Sequence, residues 1–311
     1  MLLDLLSPEY LRGLGKDADP DCYRAAFFAM ARERYDILTR KQEGFPKPWS
    51  KYPAFQTNRF CNVFREDDKT TRWFAENMRC ELFCGNYRPA MILTTVAFRW
   101  FNKIEIGEML QDTAIGLAKG KFDVERAKAR ILSTYPKGPF VTGAYIVKTP
   151  DGMTKLDGVL WCINNVAQNI VDITKHIDHT SLEAAWKLLC NYSFLGPFMS
   201  YEVVTDLAHT PVLDFAEDRM TWANPGPGAT RGISRILFGD PDKLKRENKI
   251  DRELMMVEMR HLLSLSQSTT LWPWSGRPWE MREVEHGLCE FDKYIRVIEG
   301  GRMKQRYDGA K

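Results

Sequence analysis

At 311 residues the chain is long enough to bury a large core in one or two domains. Its 44 lysines and arginines nearly balance 41 acids, and a net charge of +3 excludes a polycation that coats nucleic acid indiscriminately, so that any DNA surface is a local patch. Seven cysteines with no repeated pair spacing and no secretory leader predict reduced thiols, and no run of about 18 apolar residues offers a membrane span.

In chain order, apolar residues recur every three or four positions from Cys22 to Ala31 and predict an amphipathic helix. The prolines of Gly44-Phe45-Pro46-Lys47-Pro48-Trp49, extended by Tyr52-Pro53, break it. A helical run is expected from Asn58 to Arg65, another from Asp68 to Met78, a buried helix over 93–102 and a polar helical pair over 113–132. The β-rich stretch from Gly143 meets Asp151-Gly152, a pair suited to positive backbone angles, and reads as a small hairpin. Helical periodicity returns over 159–177, over 181–192 behind a Ser181 cap, and over 251–265 and 282–296. The organisation is mainly α: an N-terminal helical extension over 1–49, a two-lobed folding unit over 50–296 and a basic tail over 297–311.

Several polar groups stand where they are costly unless partnered. Asn58, Asn62 and Arg65 share a face if their run is helical, either as a network with Asp68 or as a pocket that reads a base edge and grips a phosphate. Arg99, with Asn102, lies in the apolar run Val96-Ala97-Phe98-Arg99-Trp100-Phe101 and must find an anion, Asp68 being one choice. His176 and His179 with Asp172 or Asp178, Cys80 with Cys84, and Glu285, Cys289 and Glu290 are spaced for metal, but surface histidines, structural thiols and a salt network with Lys293 are simpler, and no metal site is expected. Cys289 as a nucleophile has no base in sequence but His286.

Phe194-Leu195-Gly196-Pro197-Phe198-Met199-Ser200-Tyr201, with Asp206 and then Gly226-Pro227-Gly228-Ala229, resembles the helix-hairpin-helix and acidic segment of base-excision DNA glycosylases. That resemblance implies a glycosylase-like helical bundle whose Gly196, Pro197 and Phe198, and Gly226, Pro227 and Gly228, present backbone N–H groups to DNA phosphate. Thr57-Asn58-Arg59-Phe60-Cys61-Asn62-Val63-Phe64-Arg65-x-x-Asp68, the Gly196 and Gly226 segments with Arg231-Gly232, and Glu285-His286-x-Leu288-Cys289-Glu290-Phe291-x-Lys293-Tyr294 together resemble a more specific family. This is the helical, glycosylase-related family of thymidine hypermodification proteins. It includes the domain fused to hydroxymethyl-deoxyuridine DNA kinases and the phage amino acid:DNA transferases, first described as glutamyl/putrescinyl-thymine pyrophosphorylases.

With no Gly-x-x-x-x-Gly-Lys-Ser/Thr loop in the sequence, the transferase arm is the nearer likeness. It implies a phage enzyme of the host cytoplasm, without a cofactor, that acts on double-stranded DNA containing phosphomethyluracil and replaces the phosphate with the amine of a free amino acid, glycine favoured. A hydroxymethyluracil DNA kinase is the implied partner. Arg65, Arg99 and Arg231 are candidates for the departing phosphate, Asn58, Asn62 and Asn102 for the rest of the substrate, and Lys293 for the amino acid carboxylate. Asp206 is the first choice for the base and Asp68 the second, while the glycosylase spacing from Gly196 lands instead on Glu217 and Asp218. Trp222, Phe198 and Tyr201 are candidate walls for a flipped base. A glycosylase of a modified base and a noncatalytic DNA-binding partner of the kinase remain the alternatives.

Overall fold

A computed structural model of the chain describes residues 4–274 and 276–301; the basic tail beyond Gly301 and Ser275 lie outside the described residues. It divides into two compact units, one built from the segments before Lys69 and after Arg219, the other from the continuous stretch Lys69–Arg219. Both are helical, and no strand occurs among the described residues. No helix there is long and apolar enough to cross a membrane.

Unit 1 contains α1 (Pro8–Gly13), α2 (Pro20–Gln42) and α3 (Pro53–Thr57) from the first segment, and α13 (Pro227–Phe238), α14 (Lys249–Leu265) and α15 (Met281–Ile298) from the second. Each of α1, α2, α3 and α13 opens on a proline, whose missing N–H costs nothing in a first turn. A reciprocal box between Glu280 and Glu283 starts α15, the helix against which α1, α2, α3, α13 and α14 all pack. Glycines set the closest of these approaches. A Cβ on Gly232 would lie 2.4 Å from the Leu288 carbonyl oxygen, and one on Gly228 would lie 2.4 Å from Cys289 Sγ. The N-terminal helices, expected as a separate extension, thus share a core with the C-terminal one.

Unit 2 contains α4 (Lys69–Asn77), α5 (Glu81–Cys84), α6 (Arg88–Phe101), α7 (Ile104–Leu110), α8 (Val124–Thr134), α9 (Lys155–Gln168), α10 (Ile170–His176), α11 (Leu182–Leu189) and α12 (Pro197–Leu207). Residues from Ala90 to Phe101 of α6 are all buried, as expected of a helix surrounded by others, here α5, α7, α9, α10 and α12. Arg99 lies in that run, 1% exposed, and Asp206 of α12, 0% exposed, answers it. The guanidinium grips both carboxylate oxygens, with Nη2 2.7 Å from Oδ1, and Asn102 Oδ1 and Thr71 Oγ1 accept its remaining N–H groups at 3.0 and 3.2 Å. Asn102 itself closes α6 in the left-handed region at φ 45°, which asparagine tolerates well.

Two expected elements are corrected. The hairpin at 143–155 is absent: Gly152 does turn at φ +78°, but Tyr145 and Val147 have no facing strand. Their segment is tied down by Tyr145 Oη donating to the Arg99 carbonyl at 2.5 Å and Lys155 Nζ donating to the Val147 carbonyl at 2.9 Å. The helical run expected from Asn58 to Arg65 is also absent, since α3 ends at Thr57 and only a single 3-10 turn forms at Arg65–Asp67. The helix expected over 159–177 is divided into α9 and α10 at Asn169.

Two stability outcomes follow. Asp206→Ala strands a buried guanidinium and lowers unfolding free energy by about 3–5 kcal/mol, read from the urea midpoint; a loss of less than 1 kcal/mol would contradict the pairing described. Gly232→Ala forces backbone apart and costs on the order of 1–3 kcal/mol, whereas Gly196→Ala, with open space at its Cβ, changes stability by less than about 0.5 kcal/mol in the same measurement.

Candidate functional site

The loop 58–64 of unit 1 needs partners for its backbone, and charged side chains supply them. Arg34 of α2, 3% exposed, donates through Nε to the Cys61 carbonyl at 2.8 Å and through Nη2 to the Asn62 carbonyl at 2.6 Å. Glu290 of α15 accepts the Cys61 N–H at 3.1 Å, and Asp68 accepts the Asn62 N–H at 3.0 Å. The Asn58 amide donates to the Ala54 carbonyl at 3.0 Å and ends α3, while the Asn62 amide donates to the Asp67 carbonyl at 2.9 Å. Lys293, one turn after Glu290, bonds its Oε2 at 3.2 Å, donates to the Arg59 carbonyl and lies 4.7 Å from the Phe60 ring centre. Below the loop, Arg277 pairs with Asp67 at 2.9 Å and Arg282 with Glu66 at 3.0 Å.

Two of the motif segments, Thr57–Asp68 and Glu285–Lys293, therefore meet in one polar cluster. Burial and the charges around it set its protonation. Burial, reinforced by Arg34, Arg65 and Arg282 against the pull of Glu290, lowers His286 to about 3, so the ring is neutral. Its Nδ1 is buried and has no hydrogen-bond partner among the described residues. Burial would raise Glu290, but Lys293, Arg34 and His286 outweigh it and hold the carboxyl below its usual range. Asp68 goes the other way, raised by burial despite the Asn62 amide, Arg65 and Arg34. Burial, with Glu290 and Asp68, pushes the Cys61 thiol well up, so it stays protonated.

Cys61, His286 and Glu290 bring their ligand atoms within 4.8 Å of one another and are of the donor types that hold zinc. The guanidinium and ammonium groups around them oppose a cation, while Glu290 and Asp68 act the other way at the thiol.

The other expected residues are placed as follows. In unit 2, Arg99, Asn102 and Asp206 form the buried network already described, with Arg79 Nη1 3.5 Å from Asp206 Oδ1. Asp218 caps α11, accepting the Leu182 and Glu183 N–H groups at 2.7 and 3.0 Å and the Ser181 hydroxyl at 2.8 Å. Gly196 and Pro197 open α12, the Pro197 carbonyl accepts Trp186 Nε1 at 2.9 Å, and Phe198 is exposed beside Tyr145. In unit 1, the Gly226 N–H at the start of α13, expected for phosphate, donates to Glu285 at 3.0 Å, and Pro227 and Gly228 continue into that helix. Arg231 is 2.6 Å from Asp242 and 3.4 Å from Asp292, and Trp222 is half-buried. Arg34 and the full role of His286 were not anticipated; the available signal was an arginine extending the apolar face of α2 set by Phe27, Met30 and Ala31.

A protein that is helical throughout its described residues, with a loop held by charged side chains of α2 and α15, is the class that fold and site define. Within it, the model of the family "5-hmdU DNA kinase, helical domain" matches residues 22–302, and the chain belongs to that family. The 5-hmdU DNA kinase of Bacillus phage SP10 is 26% identical over 309 residues, an alignment covering 92% of this chain and 46% of the relative, so the chain spans about half that protein's length. No solved structure matches.

The cluster makes stability pH-dependent. Below about 6.5 the unfolded chain protonates this histidine while the native ring refuses the proton until about pH 3, so stability is full above that window and falls within it by up to about 1.4 kcal/mol per pH unit. Glu290, depressed in the native state, adds a loss at lower pH and Asp68, raised, opposes it. His286→Asn is expected to flatten the slope of urea stability between pH 7 and pH 5 relative to the parent; equal slopes would show that the ring titrates normally.

Proposed function

We propose that the chain is a phage DNA hypermodification enzyme that replaces the phosphate of phosphomethyl-deoxyuridine in DNA with the amine of an amino acid, glycine favoured, in the host cytoplasm. Supporting this are the family membership, the absence of a phosphate-binding kinase loop from the 311-residue sequence, and above all the convergence of two motif segments on one cation-rich cluster.

In the proposed reaction the exocyclic C–O bond breaks and its electron pair leaves on the phosphate oxygen. The neutral amine forms the C–N bond and gives up one proton. Arg65 is proposed to assist the departing dianion and Lys293 to hold the amino acid carboxylate, while the Asn58 and Asn62 carboxamides reach the base only by leaving the Ala54 and Asp67 carbonyls. The base role goes to Asp68, whose raised carboxyl suits it, rather than to Asp206 or Asp218, which are committed to Arg99 and to the start of α11. Arg99 and Asn102 belong to the same framework, and Arg231 serves the phosphate only by leaving Asp242. The exposed Phe198 ring with Gly196 and Pro197, Trp222 and the exposed Pro227 are proposed DNA contacts, Gly226 and Gly228 serving only by leaving Glu285 and the α15 contact, and the nucleotide is flipped from the duplex to react.

A second reading has its own support, since the relative is about twice as long and carries the name of a kinase: the chain would then be a DNA-binding partner of such a kinase. Incubation of the protein with phosphomethyluracil DNA and glycine, followed by nucleoside mass analysis, separates the readings. A glycyl adduct is expected; no mass gain with any amino acid defeats the transferase, and release of free base identifies a glycosylase. Asp68→Asn is expected to lower the transfer rate by about 10²–10⁴-fold. In the parent, the acid limb of kcat/KM should fall at a pH above that of an ordinary aspartate, about 3.9, because Asp68 must lose its proton to act.

A further inference from the structure

The loop that carries the cluster also lines a cavity of about 150 Å³, well above the roughly 10–15 Å³ that one water needs. Arg34, Ile37 and Lys41, spaced along one face of α2, form one side of it; Asn58, Arg59, Phe60, Cys61 and Asn62 form another, with Phe55 between. Three of the nine lining residues are cationic and none is acidic. Two carboxylates touch the loop from outside the lining: Glu290 is engaged by the Cys61 N–H and by Lys293, and Asp68 by the Asn62 N–H. The lining thiol is held protonated, so it adds no negative charge.

Arg34 is buried, yet its Nη1 has no hydrogen-bond partner among the described residues. Two of its nitrogens hold the loop, and the third is an enclosed cationic donor without a partner among the described residues, an arrangement that costs free energy. Lys41 and Arg59 are exposed where Arg34 is buried, so positive charge runs from solvent inward. Burial of its ammonium holds Lys41 below its usual range, and Arg59 and Lys47 add to the effect.

We propose that this cavity is a binding site for a phosphate monoester dianion, with Arg34 at its base, Lys41 and Arg59 at its mouth, and the Phe55 and Phe60 rings beside the group that carries the phosphate. Arginine forks and a lysine point charge match such a dianion, and no lining carboxylate repels it. The assignment deepens the transferase reading by naming where the substrate's phosphate is received, and it rests on that reading for the DNA that bears it.

The test uses the full chain with inorganic phosphate as probe, at constant ionic strength and pH 7.5, read by calorimetry. Arg34 also holds the loop, so the informative variants are Lys41→Met and Arg59→Gln, whose melting without phosphate reports intact folding. Saturable binding in the parent, weakened at least tenfold in each variant, is expected. No saturable binding, or equal affinity in the double variant, overturns the proposal. In competition, phosphomethyluracil DNA and a 5′-phosphorylated oligonucleotide should displace phosphate; equal displacement by a duplex with no monoester would make it a backbone site and overturn the assignment. Binding lost in the variants alongside a parent inert in amine transfer removes the transferase reading alone. Transfer with an unchanged KM for DNA in the double variant removes the cavity alone.

Discussion

The backbone between Thr57 and Arg65 has neither helix nor strand to satisfy it, and the candidate site exists because charged side chains perform that task. A buried peptide group without a partner is costly. Arg34 answers two carbonyls, and Glu290 and Asp68 answer two N–H groups. Each partner is itself charged, so satisfying the loop concentrates guanidinium, ammonium and carboxylate groups in a small volume. Burial keeps the histidine neutral and raises the aspartate, and only the depressed glutamate owes its shift to the cations gathered there.

Buried charge is handled in two ways, and unit 1 uses both, Arg235 being closed by Asp292 and Glu299. In unit 2, Arg99 and Asp206 close on each other, and Asn102 and Thr71 take up the guanidinium N–H groups that remain. Such a pair is complete and serves as framework. In unit 1 positive groups gather about one short loop, and a buried donor of Arg34 is left over. Incomplete charge in a cavity is a state that a ligand can improve, and this contrast, more than motif membership, separates the candidate site from the framework.

Much of the helical layout was legible because it is governed by local rules: apolar periodicity for α2, α14 and α15, proline before the break at 44–53, and Ser181 at the start of α11. The loop was not. Asn58, Asn62 and Arg65 have helical spacing, and what overrides it lies 27 residues away at Arg34 and 229 residues away at Glu290. The absent hairpin is the same lesson, since a turn signal at Asp151-Gly152 cannot supply a facing strand. Arg99's need for an anion was readable from its apolar surroundings, but its partner is Asp206 rather than Asp68. The glycines of the Gly226 segment were read as phosphate holders; Gly228 and Gly232 instead permit α13 to touch α15, and Glu285 already occupies the Gly226 N–H.

The chain leaves unit 1 at Asp68 and returns to it only after Arg219. During synthesis the inserted unit is therefore complete in sequence while its host still lacks the helix that organises it, and the early α2 must wait with Phe27, Phe28 and Met30 uncovered until α15 leaves the ribosome. The connectivity thus makes the inserted unit the first whose whole sequence has been synthesised and unit 1 the last.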